Sequence, residues 1–193
     1  FCLSRGLGDV YKRQPTTSVL LTQLETPSAL TAHITSRGRE HGMTVILDPA
    51  PAAPLDDAVW ANIDIVTPNE TEASVLSGIE VTDAASAALA GRWFLDRGVD
   101  AAVITLAGQG SCVVTAAGAS VIPPFPVEAV DTTAAGDAYA GYLGAALANG
   151  LELTDAVRIA TAAGALAVTK QGASPSLPLR AEVEAFLAAR DAH

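Results

Sequence analysis

Short apolar runs alternate with longer amphipathic segments along most of the chain. The apolar runs are rich in Val, Ile, Leu and Ala and lead into Gly, Pro or Asn, which predicts buried β-strands that end in turns. These runs are residues 18–25, 43–52, 63–69 and 101–110, followed by a hairpin over 111–125 with Ala117-Gly118 at its turn. The amphipathic segments predict helices over residues 27–41, 69–78, 83–97, 134–149, 154–170 and 179–190.

Residues typical of helix starts and stops support these boundaries. Pro27 opens the first helix, Gly42 follows it, and Gly78 ends the second. Thr82 or Asp83 is expected to cap the third helix. Strands that alternate with helices imply right-handed βαβ crossovers and a mainly parallel sheet covered on both faces. Because the sequence contains no internal repeat and no linker, we expect a single α/β domain.

Composition narrows the possible partners. The chain has 11 Lys and Arg residues against 21 Asp and Glu residues, so its net charge is −10 and argues against nucleic-acid binding. No apolar stretch approaches the roughly 20 residues of a membrane-spanning helix, so no membrane partner is expected. The two cysteines, Cys2 and Cys112, form neither a disulfide framework nor a zinc motif, which fits a cytoplasmic protein. Cys112 lies in an apolar run and is expected to be buried.

The first 14 residues do not fit the pattern of the rest. Residues 4–14, SRGLGDVYKRQ, resemble the translation of a sequencing-library adapter, although a genuine basic N-terminal arm is the alternative. We therefore expect residues 1–14 to be a non-native head. The only methionine is Met43, so the chain is expected to be a fragment in which residues 15–193 are part of one domain.

Polar residues and glycines stand where the predicted strands end. In open parallel sheets, ligands bind beyond the carboxyl ends of the strands. This rule places Glu25, Asp48, Asn69 and the 105–110 loop along one edge of the sheet. The edge is the expected location of a binding site.

The strongest chemical motif is DTTAAGD, residues 131–137, which leads into a helix rich in Ala, Gly and Tyr. Unpaired backbone N–H groups and the positive end of the helix dipole make such a start an anion site. Small side chains allow a phosphate to approach the backbone, and Asp137 follows where a hydroxyl could attack that phosphate. The alternative is that the helix dipole merely favours Asp137 in the first turn.

Other strand and helix ends carry weaker motifs. In PNETE, residues 68–72, Asn69 and Glu72 are typical of helix capping, and they are also spaced to organise magnesium through water. In TLAGQG, residues 105–110, the glycines allow a ligand to approach, or simply form a tight turn. This loop does not match the dinucleotide or Walker A glycine patterns. In KQGASPS, residues 170–176, exposed carbonyls could hold a monovalent cation or form an ordinary helix end.

Taken together and in this order, the motifs resemble the C-terminal part of the ribokinase-like carbohydrate kinase family. The resemblance runs from about residue 19 to residue 187. It is carried by QLETP at 23–27, DPAPA at 48–52, PNETEA at 68–73, ITLAGQG at 104–110, VDTTAAGDAYAGYL at 130–143 and VTKQGASPSLP at 168–178. It implies a three-layer α/β/α fold with a mainly parallel sheet, from which the N-terminal strands and the lid are missing.

The resemblance also implies a role for individual residues. Asp137 would be the general base, with Ala134, Ala135 and Gly136 forming the anion hole and Glu25 and Asp137 binding the sugar. The nucleotide would be bound by Asn69, Thr105, Leu106, Ala107, Gly108, Gln109, Gly110, Gly136 and Thr161. Magnesium would be organised through water by Asn69 and Glu72. Potassium would be held by Asp131, Thr133, Ala167, Lys170, Gly172 and Ser176. Ala134 stands where many members of the family have Gly.

The implied activity is ATP-dependent phosphorylation of a sugar primary hydroxyl, with D-ribose giving D-ribose 5-phosphate as the expected reaction. Fructokinase, 2-keto-3-deoxygluconate kinase and nucleoside kinase share the same motifs and are alternatives within the family. A non-catalytic nucleotide-binding relative is another alternative, although it would have no use for Asp137. The resemblance implies ATP, Mg²⁺ and K⁺ as cofactors and a homodimer formed through the lid. The fragment alone is expected to be inactive.

Overall fold

A computed structural model describes residues 18–191 of the chain. The predicted head at residues 1–14 and Cys2 lie outside the described residues. Within them, no helix is long and apolar enough to cross a membrane. The strands are β1 (Val19–Gln23), β2 (Thr44–Asp48), β3 (Ile65–Val66), β4 (Ala101–Thr105), β5 (Ser111–Thr115) and β6 (Gly118–Ile122). The helices are α1 (Ser28–Glu40), α2 (Asp57–Trp60), α3 (Glu70–Ser77), α4 (Ala84–Leu95), α5 (Ala135–Ala148), α6 (Leu153–Ala167) and α7 (Arg180–Asp191).

The six strands found between residues 18 and 191 form one mixed sheet in the order β1-β2-β3-β4-β5-β6. Strands β1 to β4 pair in parallel, and β5 and β6 complete the sheet as an antiparallel hairpin. This arrangement confirms the predicted mainly parallel α/β sheet. It also places the carboxyl ends of β1, β2, β3 and β4 on one edge.

Two apolar cores cover the two faces of the sheet. Val45 and Leu47 of β2 pack on one face with Trp60 and Phe94, whereas Ile46 packs on the other face with residues of α5 and α6. Successive side chains of a strand point to opposite faces, so both faces of β2 are buried. The result is a three-layer α/β/α fold with the sheet in the middle. Helix α7 packs on the outside of α6 through a smaller apolar cluster.

One local prediction was wrong, and one short helix was not predicted. The hairpin turn is formed by Ala116-Ala117, because Gly118 pairs with Thr115 and is already the first residue of β6. The sequence pattern also gave no sign of α2, since its four residues are too few to show a helical period. Other elements match the prediction to within a few residues. Asp83 caps α4, Gly78 ends α3 in the left-handed conformation, and Cys112 is buried as expected.

Candidate active site at the carboxyl edge of the sheet

Three polar side chains meet where β1, β2 and α5 converge. Gln23 ends β1, Asp48 ends β2, and Asp137 lies in the first turn of α5. The amide nitrogen of Gln23 donates to Oδ2 of Asp48 at 2.9 Å and to Oδ1 of Asp137 at 3.4 Å. The fold thereby brings the predicted base to the edge on which a ligand was expected.

Asp48 lies on the expected binding edge, as the strand-end rule predicts, although no chemical role was predicted for it, and Gln23 was not predicted to belong to the site. Asp48 is buried, and its burial raises the pKa of its carboxyl group. The hydrogen bond from Gln23 lowers this pKa, while the nearby charges of Asp137 and Glu25 raise it. Both residues lie within the QLETP and DPAPA segments, at the ends of adjacent strands. Their place at the carboxyl ends of parallel strands is the feature of the sequence from which both residues could have been assigned to the site.

An open cleft of about 380 Å³ lies beside these residues. It is lined by Leu21, Thr22, Gln23, Glu25, Thr26, Asp137 and Ala140. Glu25 and Asp137, the two residues predicted to contact the sugar, therefore face one cleft. Their roles in sugar binding stay predictions.

The start of α5 has the backbone geometry of an anion site. Ala134, the residue before the helix, is in the left-handed conformation with φ 60° and ψ 12°. The N–H of Ala135 donates to the carbonyl of Thr132 at 3.3 Å. Within residues 18–191, the N–H groups of Ala134 and Gly136 have no hydrogen-bond acceptor. Among residues 18–191, a Cβ at Gly136 would have no neighbouring atom within 4 Å outside its own stretch of helix, so these residues leave space beside this turn.

Asn69 and Glu72 form a reciprocal capping box at the start of α3. The side chain of Asn69 accepts the N–H of Glu72, and Glu72 accepts the N–H of Asn69, both at 2.9 Å. Burial raises the pKa of Glu72, the backbone hydrogen bond from Asn69 lowers it, and the charge of Asp48 raises it. Asn69 and Glu72 therefore do cap the helix, as the alternative interpretation predicts. Glu72 is also close enough to Asp48 for the two charges to interact. The magnesium role stays a prediction.

The two predicted nucleotide-binding segments are adjacent. Asn69 forms an isolated parallel bridge with Thr105, whose N–H donates to the carbonyl of Pro68 at 3.0 Å. Residues Ala107–Gln109 form one turn of 3₁₀ helix after β4. Gly110 has φ +93°, and a Cβ there would lie 2.1 Å from the carbonyl oxygen of Ile122. Gly110 is therefore required by the fold itself, whatever it contributes to a ligand.

A hydroxyl network places Thr161 near the glycine loop. The buried hydroxyl of Tyr139 on α5 donates to Oγ of Ser111 at 3.1 Å. Ser111 Oγ lies 3.4 Å from Oγ1 of Thr161 on α6, which in turn donates to the carbonyl of Val157. Burial raises the pKa of Tyr139 to about 12. Thr161 is thus connected to the residue that follows Gly110, and its contact with an adenine stays a prediction.

The residues predicted to hold potassium come from the segment before α5, the last residue of α6 and the loop that follows α6. Oδ1 of Asp131 accepts the N–H of Thr133 at 2.9 Å and its hydroxyl at 2.7 Å, and Oδ2 accepts the N–H of Gly172 at 2.9 Å. These bonds lower the pKa of Asp131 to about 2.

The carbonyl of Ala167 accepts the N–H of Lys170 at 3.2 Å. Lys170 also forms an ion pair with Glu182, and buried Ser176 donates to the carbonyl of Ala173.

Comparison with known proteins identifies the family. Residues 13–180 match the sequence model of the pfkB family carbohydrate kinases. The chain belongs to the pfkB family of carbohydrate kinases. Membership confirms the family resemblance that the motifs showed.

Individual pfkB family members are similar over most of this chain. A ribokinase from Haemophilus influenzae is 43% identical over 87% of the chain and 55% of its own length. The crystal structure of a ribokinase from Thermotoga maritima is 38% identical, with a TM-score of 0.82 over 91% of the chain and 59% of that protein. The structure of Arabidopsis thaliana ribokinase complexed with ribose and ATP is 28% identical, with a TM-score of 0.86 over 93% of the chain and 58% of that protein. The chain thus spans about half the length of curated ribokinases such as that of Haemophilus influenzae.

The pfkB fold here is rich in carboxylates at the candidate site. Glu25, Asp137 and Glu72 all lie within electrostatic reach of Asp48. Within residues 18–191, however, no three His, Cys, Asp or Glu side chains are grouped as a preformed metal site. Magnesium in phosphate-transferring sites is commonly bound by one or two carboxylates together with water and substrate phosphates. The side-chain oxygens of Asn69 and Glu72 are compatible with that mode of binding.

Proposed function

We propose that the complete protein containing this chain transfers the γ-phosphoryl group of ATP to a primary hydroxyl of a sugar, with D-ribose as its substrate. The observation that carries the proposal is the position of Asp137. This carboxylate faces the same cleft as Glu25 and lies one residue after Gly136, whose N–H at the start of α5 has no hydrogen-bond acceptor among residues 18–191. The ribokinase from Haemophilus influenzae and the Arabidopsis complex with ribose and ATP support this choice of substrates.

The proposed reaction needs a base and a site for the transferred phosphoryl group. Asp137 takes the proton from the sugar hydroxyl while that oxygen forms a bond to the γ-phosphorus. The bond between the γ-phosphorus and the bridging oxygen breaks, and ADP leaves with that pair of electrons. Asp137 then releases its proton to solvent. General-base catalysis of this kind contributes about 10²- to 10⁴-fold to the rate.

The start of α5 would stabilise the negative charge of the moving phosphoryl group. The free N–H groups of Ala134 and Gly136 are fixed before the reaction begins, so they need no reorganisation during it. The positive end of the helix dipole acts in the same direction. Phosphoryl transfer depends largely on such positioning and charge stabilisation.

The remaining motifs would bind the cofactors. Thr105 to Gly110 and Thr161 would line the nucleotide, and Asn69 with Glu72 would organise Mg²⁺, which offsets phosphate charge when bound. Asp131, Thr133 and the loop containing Gly172 would supply carboxylate and carbonyl oxygens as ligands for K⁺. The carboxylate of Asp131 already joins these segments, because it accepts the N–H groups of Thr133 and Gly172. Because this loop is bonded to the segment before α5, a cation there would order the anion site.

ADP release against a panel of acceptors tests the proposal. The complete protein is supplied with MgATP and, in turn, D-ribose, fructose, 2-keto-3-deoxygluconate and a nucleoside. We expect the highest kcat/KM with D-ribose. A clear preference for another acceptor would keep the kinase assignment and overturn the choice of ribose. The absence of turnover with every acceptor would contradict the proposed function as a whole.

A further inference from the structure

The amide of Gln23 connects two carboxylates that belong to different elements. Gln23 and Asp48 are register partners at the ends of the parallel strands β1 and β2. The same amide nitrogen lies 2.9 Å from Oδ2 of Asp48 and 3.4 Å from Oδ1 of Asp137. An amide nitrogen carries two hydrogens, so it can donate to both carboxylates at once. One neutral side chain therefore joins β1, β2 and the first turn of α5.

Asp48 determines which end of the Gln23 amide faces the base. An ionised carboxylate only accepts hydrogen bonds, so it binds the nitrogen of the amide and not its oxygen. Asp48 is buried at the end of β2, which is paired on both sides by β1 and β3, and this fixes the position of its carboxylate. The bond to Asp48 thus directs the remaining hydrogen of the nitrogen toward Asp137.

The arrangement leaves one oxygen of Asp137 for chemistry. Oδ1 faces the amide of Gln23, whereas Oδ2 makes no hydrogen bond to any residue between 18 and 191. The 3.4 Å separation is long for a hydrogen bond. Catalytic hydrogen bonds are often long in substrate-free structures and shorten once the substrate is bound.

We propose that Gln23 is a positioning residue, whose amide holds Oδ1 of Asp137 so that Oδ2 receives the proton of the substrate hydroxyl. The inference rests on the proposed kinase function, since it assigns Gln23 a part in that reaction. Gln23 acts through Asp137, and its loss should therefore affect the chemical step more than substrate binding.

The first test compares Gln23→Met with the wild type in the complete protein. Methionine has a similar length and no hydrogen to donate. We expect kcat to fall about tenfold, while KM for the sugar changes less than about twofold, because misplacing a reacting group slows the chemical step. A raised KM with unchanged kcat would instead make Gln23 a substrate contact and overturn the inference.

Gln23→Glu supplies a second variant of nearly identical shape, in case methionine disturbs the fold. It places a third carboxylate between Asp48 and Asp137 and removes the donor. We expect a larger fall in kcat than for Gln23→Met at neutral pH, because like charges at this distance repel. Thermal melting of each variant verifies that it is folded. Wild-type kcat in a folded Gln23→Glu protein would refute the role of the amide.

A double-mutant cycle tests whether Asp48 acts through Gln23. Asp48→Asn should lower kcat in the wild-type background and have little further effect in the Gln23→Met background. Additive losses would contradict a shared role. Asn62→Leu is the matched control, since it removes an amide that donates to the carbonyl of Ala58 just before β3, at the opposite edge of the sheet. It should retain wild-type kcat.

The wild-type measurement separates this inference from the proposed function. If the wild type turns over no sugar, the proposed function fails and the inference fails with it. If the wild type is active and both Gln23 variants are equally active, only the role of Gln23 is wrong.

Discussion

The carboxylate of Asp131, on the segment before α5, accepts the N–H of Gly172, on the loop after α6, at 2.9 Å. The same carboxylate accepts the N–H and the hydroxyl of Thr133. Asp131 thus connects, through hydrogen bonds, the segment before α5 and the loop after α6, which flank the start of α5. The bonds favour its ionised form, and they lower its pKa to about 2 from the ordinary value of 3.8.

This lowered pKa predicts how Asp131 contributes to stability at different pH values. Because the folded-state pKa is below the unfolded value, the contribution is present above about pH 4 and is lost as the pH falls through about 2. Asp131→Asn should therefore lower Tm at pH 7. The difference in Tm between this variant and the wild type should shrink toward pH 2. Thermal melts of both proteins across this range measure the difference.

Glu128→Gln serves as the control, since it removes an exposed carboxylate from the same segment. Its Tm should follow that of the wild type closely. A difference for Asp131→Asn that is constant from pH 7 to pH 2 would show that the charge of Asp131 is not what joins the loops.

Ala134 is held in a conformation that suits glycine better. Its φ of 60° costs an L-residue about 1–2 kcal/mol, a cost that glycine avoids. Ala134→Gly should therefore raise the free energy of unfolding, by about 0.5–1 kcal/mol after the greater chain entropy of glycine is included. Urea unfolding measures the change. Ala145→Gly, at an exposed position of α5, should have the opposite sign and cost about 1 kcal/mol.

Features set by local sequence could be predicted well. The apolar runs gave the strands, the capping residue Asp83 gave the start of α4, and the rule on strand ends gave the edge that carries Asp48 and Asn69. The contact between Gln23 and Asp137 could not be predicted from local sequence, because the two residues are 114 positions apart. No periodicity connects them, and only the packing of α5 against β1 brings them together. Likewise, an alanine at position 134 does not by itself indicate a left-handed backbone, and the only hint was that many members of the family have Gly there.

Gly108 and Gly110, in the loop after β4, differ in whether the fold can accept a side chain in their place. A Cβ at Gly110 would lie 2.1 Å from the carbonyl oxygen of Ile122, and the positive φ adds strain. A Cβ at Gly108, in contrast, would meet no atom of the described part of the chain within 4 Å. Gly110→Ala should therefore lower the free energy of unfolding by about 2 kcal/mol or more, the scale of overpacking combined with backbone strain. Gly108→Ala should change it little. Equal stability of the two variants in urea unfolding would contradict this geometry.

The base assignment predicts the effect of Asp137→Asn in the complete protein. The substitution preserves the size of the side chain and removes its capacity to take a proton. We expect kcat to fall by at least about 10²-fold, while ATP still binds, because the anion site consists of backbone N–H groups. Steady-state turnover and nucleotide titration measure the two effects. Near-normal turnover would show that Asp137 is not the base.

The anion site can be tested by adding a single methyl group at one of two glycines of α5. A Cβ at either Gly136 or Gly141 would meet no atom of residues 18–191 within 4 Å outside the helix itself, so we expect the fold to accept alanine at both positions. Replacing glycine by alanine inside a helix adds roughly 1 kcal/mol of stability, so neither variant should unfold.

At Gly136, however, the methyl group would occupy the space in which the proposed phosphoryl group approaches the backbone. We expect Gly136→Ala to lower kcat by about tenfold or more, since a displacement of about 1 Å at the reacting centre has effects of this size. Gly141→Ala, one turn further along the helix, should keep wild-type kcat. If both variants turn over sugar at the wild-type rate, the start of α5 is not where the phosphoryl group is bound.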